Sequence, residues 1–322
     1  MSAAPAPYRA PRWLRGGHAQ TIYPALFLRG PLPRYRRERW DTPDGDFIDL
    51  DHVDAGAAGA PRVALFHGLE GSSASHYARA LMRALAAARW NGVVVHFRGC
   101  GGAPNRLPRA YHSGDAAEID WVLARLAQAG APLYAAGVSL GGNALLKWLG
   151  ESGARARSCV VAAAAVSAPL DLMASGAALG AGLNLIYTRM FLSTLRRKSL
   201  AKLERFPGLF ARERVLAARN LRQFDDVVTA PLHGFRDTDD YWTRASAKPA
   251  LAGVRLPTLV LNAKNDPFLP ARHLPLPAEV PAAVQLEQPE EGGHVGFASG
   301  AFPGHLDWLP QRLLAFFRAQ HA

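Results

Sequence analysis

Ser139, Asp266 and His294 are the side chains whose types and chain order could run a nucleophilic reaction in this 322-residue sequence. Ser139 lies in Gly137-Val138-Ser139-Leu140-Gly141-Gly142, a G-x-S-x-G pattern. That pattern carries meaning where a strand precedes it and a helix follows, because the serine then stands on a sharp turn. A serine hydroxyl is a weak nucleophile until a base removes its proton. The base is usually a histidine oriented by a carboxylate. Asp266 follows the apolar run Thr258-Leu259-Val260-Leu261, and His294 lies in the glycine-lined stretch Glu290-Glu291-Gly292-Gly293-His294-Val295-Gly296-Phe297. The order Ser, Asp, His is the one expected for a strand-to-helix serine. Asn265-Asp266-Pro267 also reads as a simple turn, and Asp171 is the second candidate acid. Among the other histidines, His67 opens the loop after an early strand, His96 falls within a strand, and His112 and His305 lie outside the slot for a base. The chemistry expected is attack on an ester carbonyl. Its tetrahedral oxygen needs two backbone N–H groups, and these are expected from Leu69 and Leu140.

Several elements must position these residues. Residues 133–136 form a short apolar run after Pro132 and read as a buried strand; 143–149 reads as a helix. Gly137 and Gly141 are expected where the chain passes too close for a side chain. Further buried strands are expected at 62–66, 93–97, 159–167, 258–261 and 284–288, with a hairpin over 40–53. Helices are expected from a cap near Ser73 or Ser75, and over 115–129 with Ile119, Val122, Leu123 and Leu126 toward the core. Strands alternating with helices predict an α/β fold, with a mostly parallel sheet of about eight strands covered on both faces. Chemistry in such sheets gathers beyond the carboxyl ends of the strands. Residues 39–167 and 251–322 are expected to form this core. Residues 1–38 read as an irregular Pro- and Arg-rich arm packing on it, with Gly17-His18-Ala19-Gln20-Thr21 too polar for a plain linker. Residues 168–250 carry no clear strand and read as a helical cap or lid.

Composition narrows the field. Apolar residues make up 49%, enough for a large core. The net charge is +11, concentrated in residues 1–40 and 188–222. The two segments read as a solvated Arg-rich exterior, or as weak contacts with an anionic membrane surface. Neither contains a nucleic-acid reading motif. Cys100 and Cys159 lack metal-ligand spacing and read as free thiols. No signal-peptide core or spanning run is apparent, which makes a cytoplasmic location the expectation. No metal set, phosphate loop or dinucleotide motif stands out, so no cofactor is expected. The oligomeric state is not readable.

The segments Phe66-His67-Gly68-Leu69-Glu70-Gly71-Ser72, His96-Phe97-Arg98-Gly99-Cys100-Gly101-Gly102, Tyr111-His112-Ser113-Gly114-Asp115, Gly137-Val138-Ser139-Leu140-Gly141-Gly142-Asn143 and Gly293-His294-Val295-Gly296-Phe297 together resemble the YheT-like group of α/β-hydrolases. GGHAQTIYPAL in the arm and FDDVVTAPLHGF in the cap match that group too. The resemblance implies an α/β-hydrolase fold with a helical cap, and a Ser139–Asp266–His294 triad. Eukaryotic relatives in this group act on medium-chain acyl esters and phospholipids as esterases, lipases or alcohol acyltransferases. The resemblance therefore implies a small-molecule ester or lipid substrate. An H-x-x-x-x-D motif is associated with acyl transfer. Here the fifth residue after His112 is Ala117 and after His294 is Ser299, which favours water as the acceptor.

Overall fold

The computed structural model describes residues 6–321; the first five residues of the expected arm lie outside the described residues. Eight strands form one sheet in the order β1-β2-β4-β3-β5-β6-β7-β8. They are β1 (Arg36–Asp41), β2 (Phe47–Val53), β3 (Arg62–Phe66), β4 (Asn91–His96), β5 (Leu133–Val138), β6 (Ala162–Val166), β7 (Thr258–Leu261) and β8 (Val284–Glu287). β1 and β2 pair antiparallel, as do β2 and β4, and every other pairing is parallel. The parallel strands are apolar on both faces because helices cover both. Ala64 and Phe66 of β3 face the cluster holding Ile119, Val122 and Leu145, while Val63 and Leu65 face the one holding Leu81, Leu85 and Leu313. This alternation is the two-residue period of a strand.

The helices of the core are α1 (Gly17–Phe27), α2 (His76–Ala87), α3 (Ala116–Ala127) and α4 (Leu140–Ser152), and the last of the chain is α11 (Trp308–Ala319). Between β6 and β7 the chain adds α5 (Leu172–Leu179), α6 (Leu185–Arg205), α7 (Arg212–Ala217), α8 (Leu221–Phe224), α9 (Ala230–Leu232) and α10 (Thr238–Ala245), with a single π turn over Asp225–Thr229. This segment has an apolar cluster of its own, Leu192, Val215, Ala218, Phe224, Val227 and Val228. Among the described residues, no helix is long and apolar enough to cross a membrane.

The structure differs from the sequence expectation in two local places. The arm is not irregular throughout, because α1 forms despite the breakers Gly16 and Pro24. Pro24 lacks an N–H, so the Gln20 carbonyl has no intrahelical partner. That carbonyl instead lies against Gly296, where any Cβ would collide with it. The second concerns the glycine-rich turn. Gly137 belongs to β5, and Gly141 and Gly142 to α4, so the turn between strand and helix is Ser139 alone. A Cβ on Gly137 would sit 2.5 Å from the Gly141 carbonyl oxygen, and one on Gly141 would sit 2.6 Å from the His67 carbonyl oxygen. Both obstacles are backbone and cannot swing away.

Gly141→Ala is therefore expected to destabilise the protein by at least about 2 kcal/mol, lowering the calorimetric unfolding midpoint by several degrees. An unchanged midpoint would show that the elbow has slack.

Candidate active site

Ser139 has φ 53° and ψ −121°, a conformation that costs a side-chain-bearing residue about 1–3 kcal/mol. The surroundings hold it there. Its N–H donates to the Val166 carbonyl at 2.9 Å, and its carbonyl accepts from Asn143 N–H at 3.0 Å. Asn143 is fully buried; its amide nitrogen donates to the carbonyls of Ser113 and Ala245, and its amide oxygen accepts from Ala247 N–H. The asparagine thus fastens the elbow helix to the C-terminal end of α10 and to the loop before α3.

The structure brings all three singled-out side chains together. Ser139 Oγ lies 3.0 Å from His294 Nε2, and His294 Nδ1 lies 2.9 Å from Asp266 Oδ2. An ionised carboxylate only accepts, so Nδ1 carries the proton and Nε2 is the acceptor for the serine hydroxyl. The other Asp266 oxygen accepts from Phe268 N–H at 2.8 Å, which fixes the carboxylate plane. The Phe268 ring stacks on the imidazole at 3.9 Å and 22°. Asp171, the second candidate acid, is engaged elsewhere: it caps α5 through Ala174 N–H and pairs with His273.

The loop carrying His294 has left-handed backbone at Gly293, Val295 and Phe297. What holds it is the polar run at the start of α1, which carries no catalytic signature of its own. Gln20 Oε1 accepts from Gly292 N–H at 2.9 Å and from the Asn265 side-chain amide at 2.8 Å. Asn265 Oδ1 accepts from Gly293 N–H at 2.9 Å, and Thr21 Oγ1 accepts from His294 N–H at 2.8 Å. Gln20 Nε2 donates to the Leu14 carbonyl. One buried amide from α1 therefore ties the loop of the acid to the loop of the base. The polar GHAQT run was a visible signal, but nothing in it named a partner some 270 residues away.

The oxyanion candidates flank Ser139. Ser139 is followed directly by Leu140, the first residue of α4, where N–H groups lack helical acceptors. On the other side, a Cβ on Gly68 would lie 3.1 Å from Ser139 Cβ, so the His67-Gly68-Leu69 loop packs against the serine. In that loop Gly68 N–H donates to the Tyr77 hydroxyl and Glu70 N–H to the Tyr111 hydroxyl. No hydrogen bond among the described residues uses the Leu69 or Leu140 N–H. His67 is a strut rather than a base. Its Nδ1 lies 2.8 Å from the Gly68 carbonyl and must donate, and its Nε2 accepts from Phe97 N–H. Burial, reinforced by nearby His96, lowers its pKa to about 3, so it stays neutral.

A cavity of about 510 Å³ opens beside Ser139, between the core and helices α5, α6, α8, α9 and α10. Its apolar wall includes Leu172, Leu179, Phe191, Leu221, Val228 and Trp242. Among the described residues, no three His, Cys, Asp or Glu side chains converge to hold a metal ion. The arrangement can activate a hydroxyl, place a carbonyl over two N–H groups, and receive an apolar chain.

Residues 61–301 match a family described as the alpha/beta hydrolase fold. YheT of Escherichia coli is 40% identical over 92% of this chain and 88% of its own length. Phospholipase ABHD3 of Mus musculus is 30% identical over 95% of this chain and 77% of its own. Among solved structures, an esterase from Exiguobacterium antarcticum superposes with a TM-score of 0.55 at 18% identity, covering 88% of this chain and 99% of that one. That likeness shows the fold.

Gln20→Ala would leave the Gly292 N–H and the Asn265 amide without their acceptor. A loss of about 2 kcal/mol in unfolding free energy is expected, with faster hydrogen exchange at the amides of Gly292, Gly293 and His294. Unchanged exchange in that loop would remove Gln20 from the role described.

Proposed function

The chain belongs to the α/β-hydrolase family, and we propose that it is a serine carboxylic ester hydrolase acting on short- to medium-chain acyl esters. The observation that carries this reading is the continuous Ser139–His294–Asp266 hydrogen-bond relay. Ser139 Oγ attacks the ester carbonyl while His294 Nε2 takes its proton. Asp266 holds the ring and stabilises the imidazolium that forms. The N–H groups of Leu69 and Leu140 receive the developing oxyanion. Collapse of the tetrahedral species breaks the bond to the alcohol oxygen, which leaves with the proton from His294. Water then attacks the acyl-enzyme by the same route in reverse and releases the acid.

The cavity's apolar wall supports an acyl chain, and a phospholipase among the relatives supports a lipid acyl hydrolase as the alternative substrate assignment. Acyl transfer to an alcohol is the other alternative; Ala117 and Ser299 at the positions of the missing aspartates support water instead. Contact with an anionic membrane surface is part of the proposal. Ile22, Leu26 and Phe27 on α1, Leu183 in the turn before α6, and Ile186 and Met190 in the first turns of α6 are large, apolar and exposed. The two helices meet through His18 and Tyr187 at 3.1 Å, and Arg29 and Arg189 stand exposed beside these residues.

Ser139→Ala should lower kcat on p-nitrophenyl butyrate by about a thousandfold or more and abolish fluorophosphonate labelling, with the circular dichroism spectrum unchanged. With ethanol added, the free acid should remain the main product; a dominant ethyl ester would move the assignment to acyl transfer. Sedimentation with phosphatidylglycerol vesicles, weakened by salt and by Ile186→Asp, is the expected sign of surface contact. Equal recovery with phosphatidylcholine vesicles would remove the electrostatic part.

A further inference from the structure

Helix α6 crosses the cavity and changes character along its length. Phe191, Leu195, Lys198, Lys202 and Arg205 are spaced by four and three residues in turn, so they share one face. All five line the cavity that contains Ser139. At the apolar end, Phe191 packs on Phe268 at 6.1 Å, and Phe268 stacks on His294. Lys198 is roughly 10 Å and Lys202 roughly 16 Å farther along the axis, at 1.5 Å per residue. The face therefore grades from apolar beside the serine to cationic away from it.

Counting counter-charges separates the cations. Arg98, on the core side, is matched by Glu118, Asp44 and Asp46. Lys198 pairs with Glu70 at 2.8 Å. Lys202 meets only neutral acceptors: Asn105 Oδ1 at 2.9 Å and the carbonyls of Leu107 and Arg109 at 2.8 and 3.1 Å. Arg205 likewise donates to the carbonyls of Asn105 and Arg106. Arg197, exposed at the cavity's rim, makes no hydrogen bond or ion pair among the described residues. The one further carboxylate in the lining, Asp225, is held by Thr229 and the Trp242 indole N–H. Burial lowers Lys202 to about 8; nearby Asp46, already hydrogen-bonded to Arg98 and Asn105, offsets this only in part, and Arg205 and Arg98 add to it, so the charge is held at a cost that a facing anion would relieve. Fastening α6 to the core accounts for the carbonyl contacts of Lys202 and Arg205, but not for Arg197.

We infer that the cationic end of this cavity is a subsite for an anionic group, and that the preferred substrate is an ester amphiphile carrying a phosphate or carboxylate roughly 10 Å or more from the scissile carbonyl. This rests on the hydrolase reading above. The acyl chain lies along the apolar wall, and Lys202, Arg205 and Arg197 face the anion.

The test compares matched esters that differ only in the anion. On the acyl side the pair is the p-nitrophenyl ester of octanoate and that of suberate, whose far end is a free carboxylate. On the alcohol side it is the octanoate monoester of hexane-1,6-diol and the 6-phosphate of that monoester. In at least one pair the anionic member should have about tenfold higher kcat/KM at low salt, and 0.5 M salt should shrink that advantage. Arg197→Gln and Lys202→Met should each lower the anionic-to-neutral ratio severalfold; if Lys202→Met fails to fold, Arg197→Gln decides. Ratios near or below one in both pairs, or ratios untouched by the variants, overturn the inference and leave the hydrolase reading standing. If no ester is turned over at all, the hydrolase reading fails. Calorimetric titration of Ser139→Ala with octyl phosphate and with inorganic phosphate then judges the subsite by itself. Micromolar binding of octyl phosphate alone supports it. Equal binding of both, or of neither, overturns it.

Discussion

The distance between two stretches of backbone governs the rest of the structure. The first turn of α4 presses on the end of β3 so closely that Gly141 has no room for a Cβ beside the His67 carbonyl. This closeness lets one residue, Ser139, reverse the chain between β5 and α4 with a positive φ. The same closeness lays the His67-Gly68-Leu69 loop against the serine. The strained turn and the flanking N–H groups are thus consequences of a single packing contact. A looser contact would relax the serine and pull the loop away together.

The second constraint is long-range. His294 and Asp266 sit on separate loops beyond β8 and β7, and loops are the mobile part of such folds. Their alignment depends on a buried amide, that of Gln20, which accepts from both loops at once. A buried N–H without an acceptor is costly, so each loop is drawn to the same oxygen. The α1 segment is therefore part of the framework of the site although it precedes the sheet in the chain.

This division explains what could be read in advance. The parallel strands announced themselves because both faces of each are apolar, and the three polar side chains stood at strand ends in a recognisable order. These signals are local. The role of Gln20 is not, because its partners at Asn265 and Gly292 are distant in sequence and its own surroundings contain Gly16 and Pro24, which read as breakers. Helix bounds at the elbow were also displaced, since a run of glycines looks like a loop until the backbone that presses on it is known. The interior of residues 168–250 was the least legible part. Its helices are short and basic, and their buried faces are set by Phe224, Val227 and Val228 packing against each other around a π turn that no simple periodicity announces.

Charge shows the same difference between composition and placement. Ten basic residues between 188 and 222 read most simply as a solvated exterior. Arg189, Arg212, Arg214, Arg219 and Arg222 do stand exposed. Arg196, Lys198 and Lys202 turn inward instead, and Arg205, itself exposed, reaches back to the core; these four use backbone carbonyls, Asn105 and Glu70 as partners. Inward cations are costly unless their surroundings compensate them, and a helix needing only to adhere to the core could use neutral donors. Their spacing puts three of them on the face that also carries Phe191 and Leu195. A helix built this way does more than cover the cavity. It gives the enclosed space a polarity, apolar where the serine stands and positive at the opposite end, so that an amphiphilic ligand has one orientation of lower energy than the reverse.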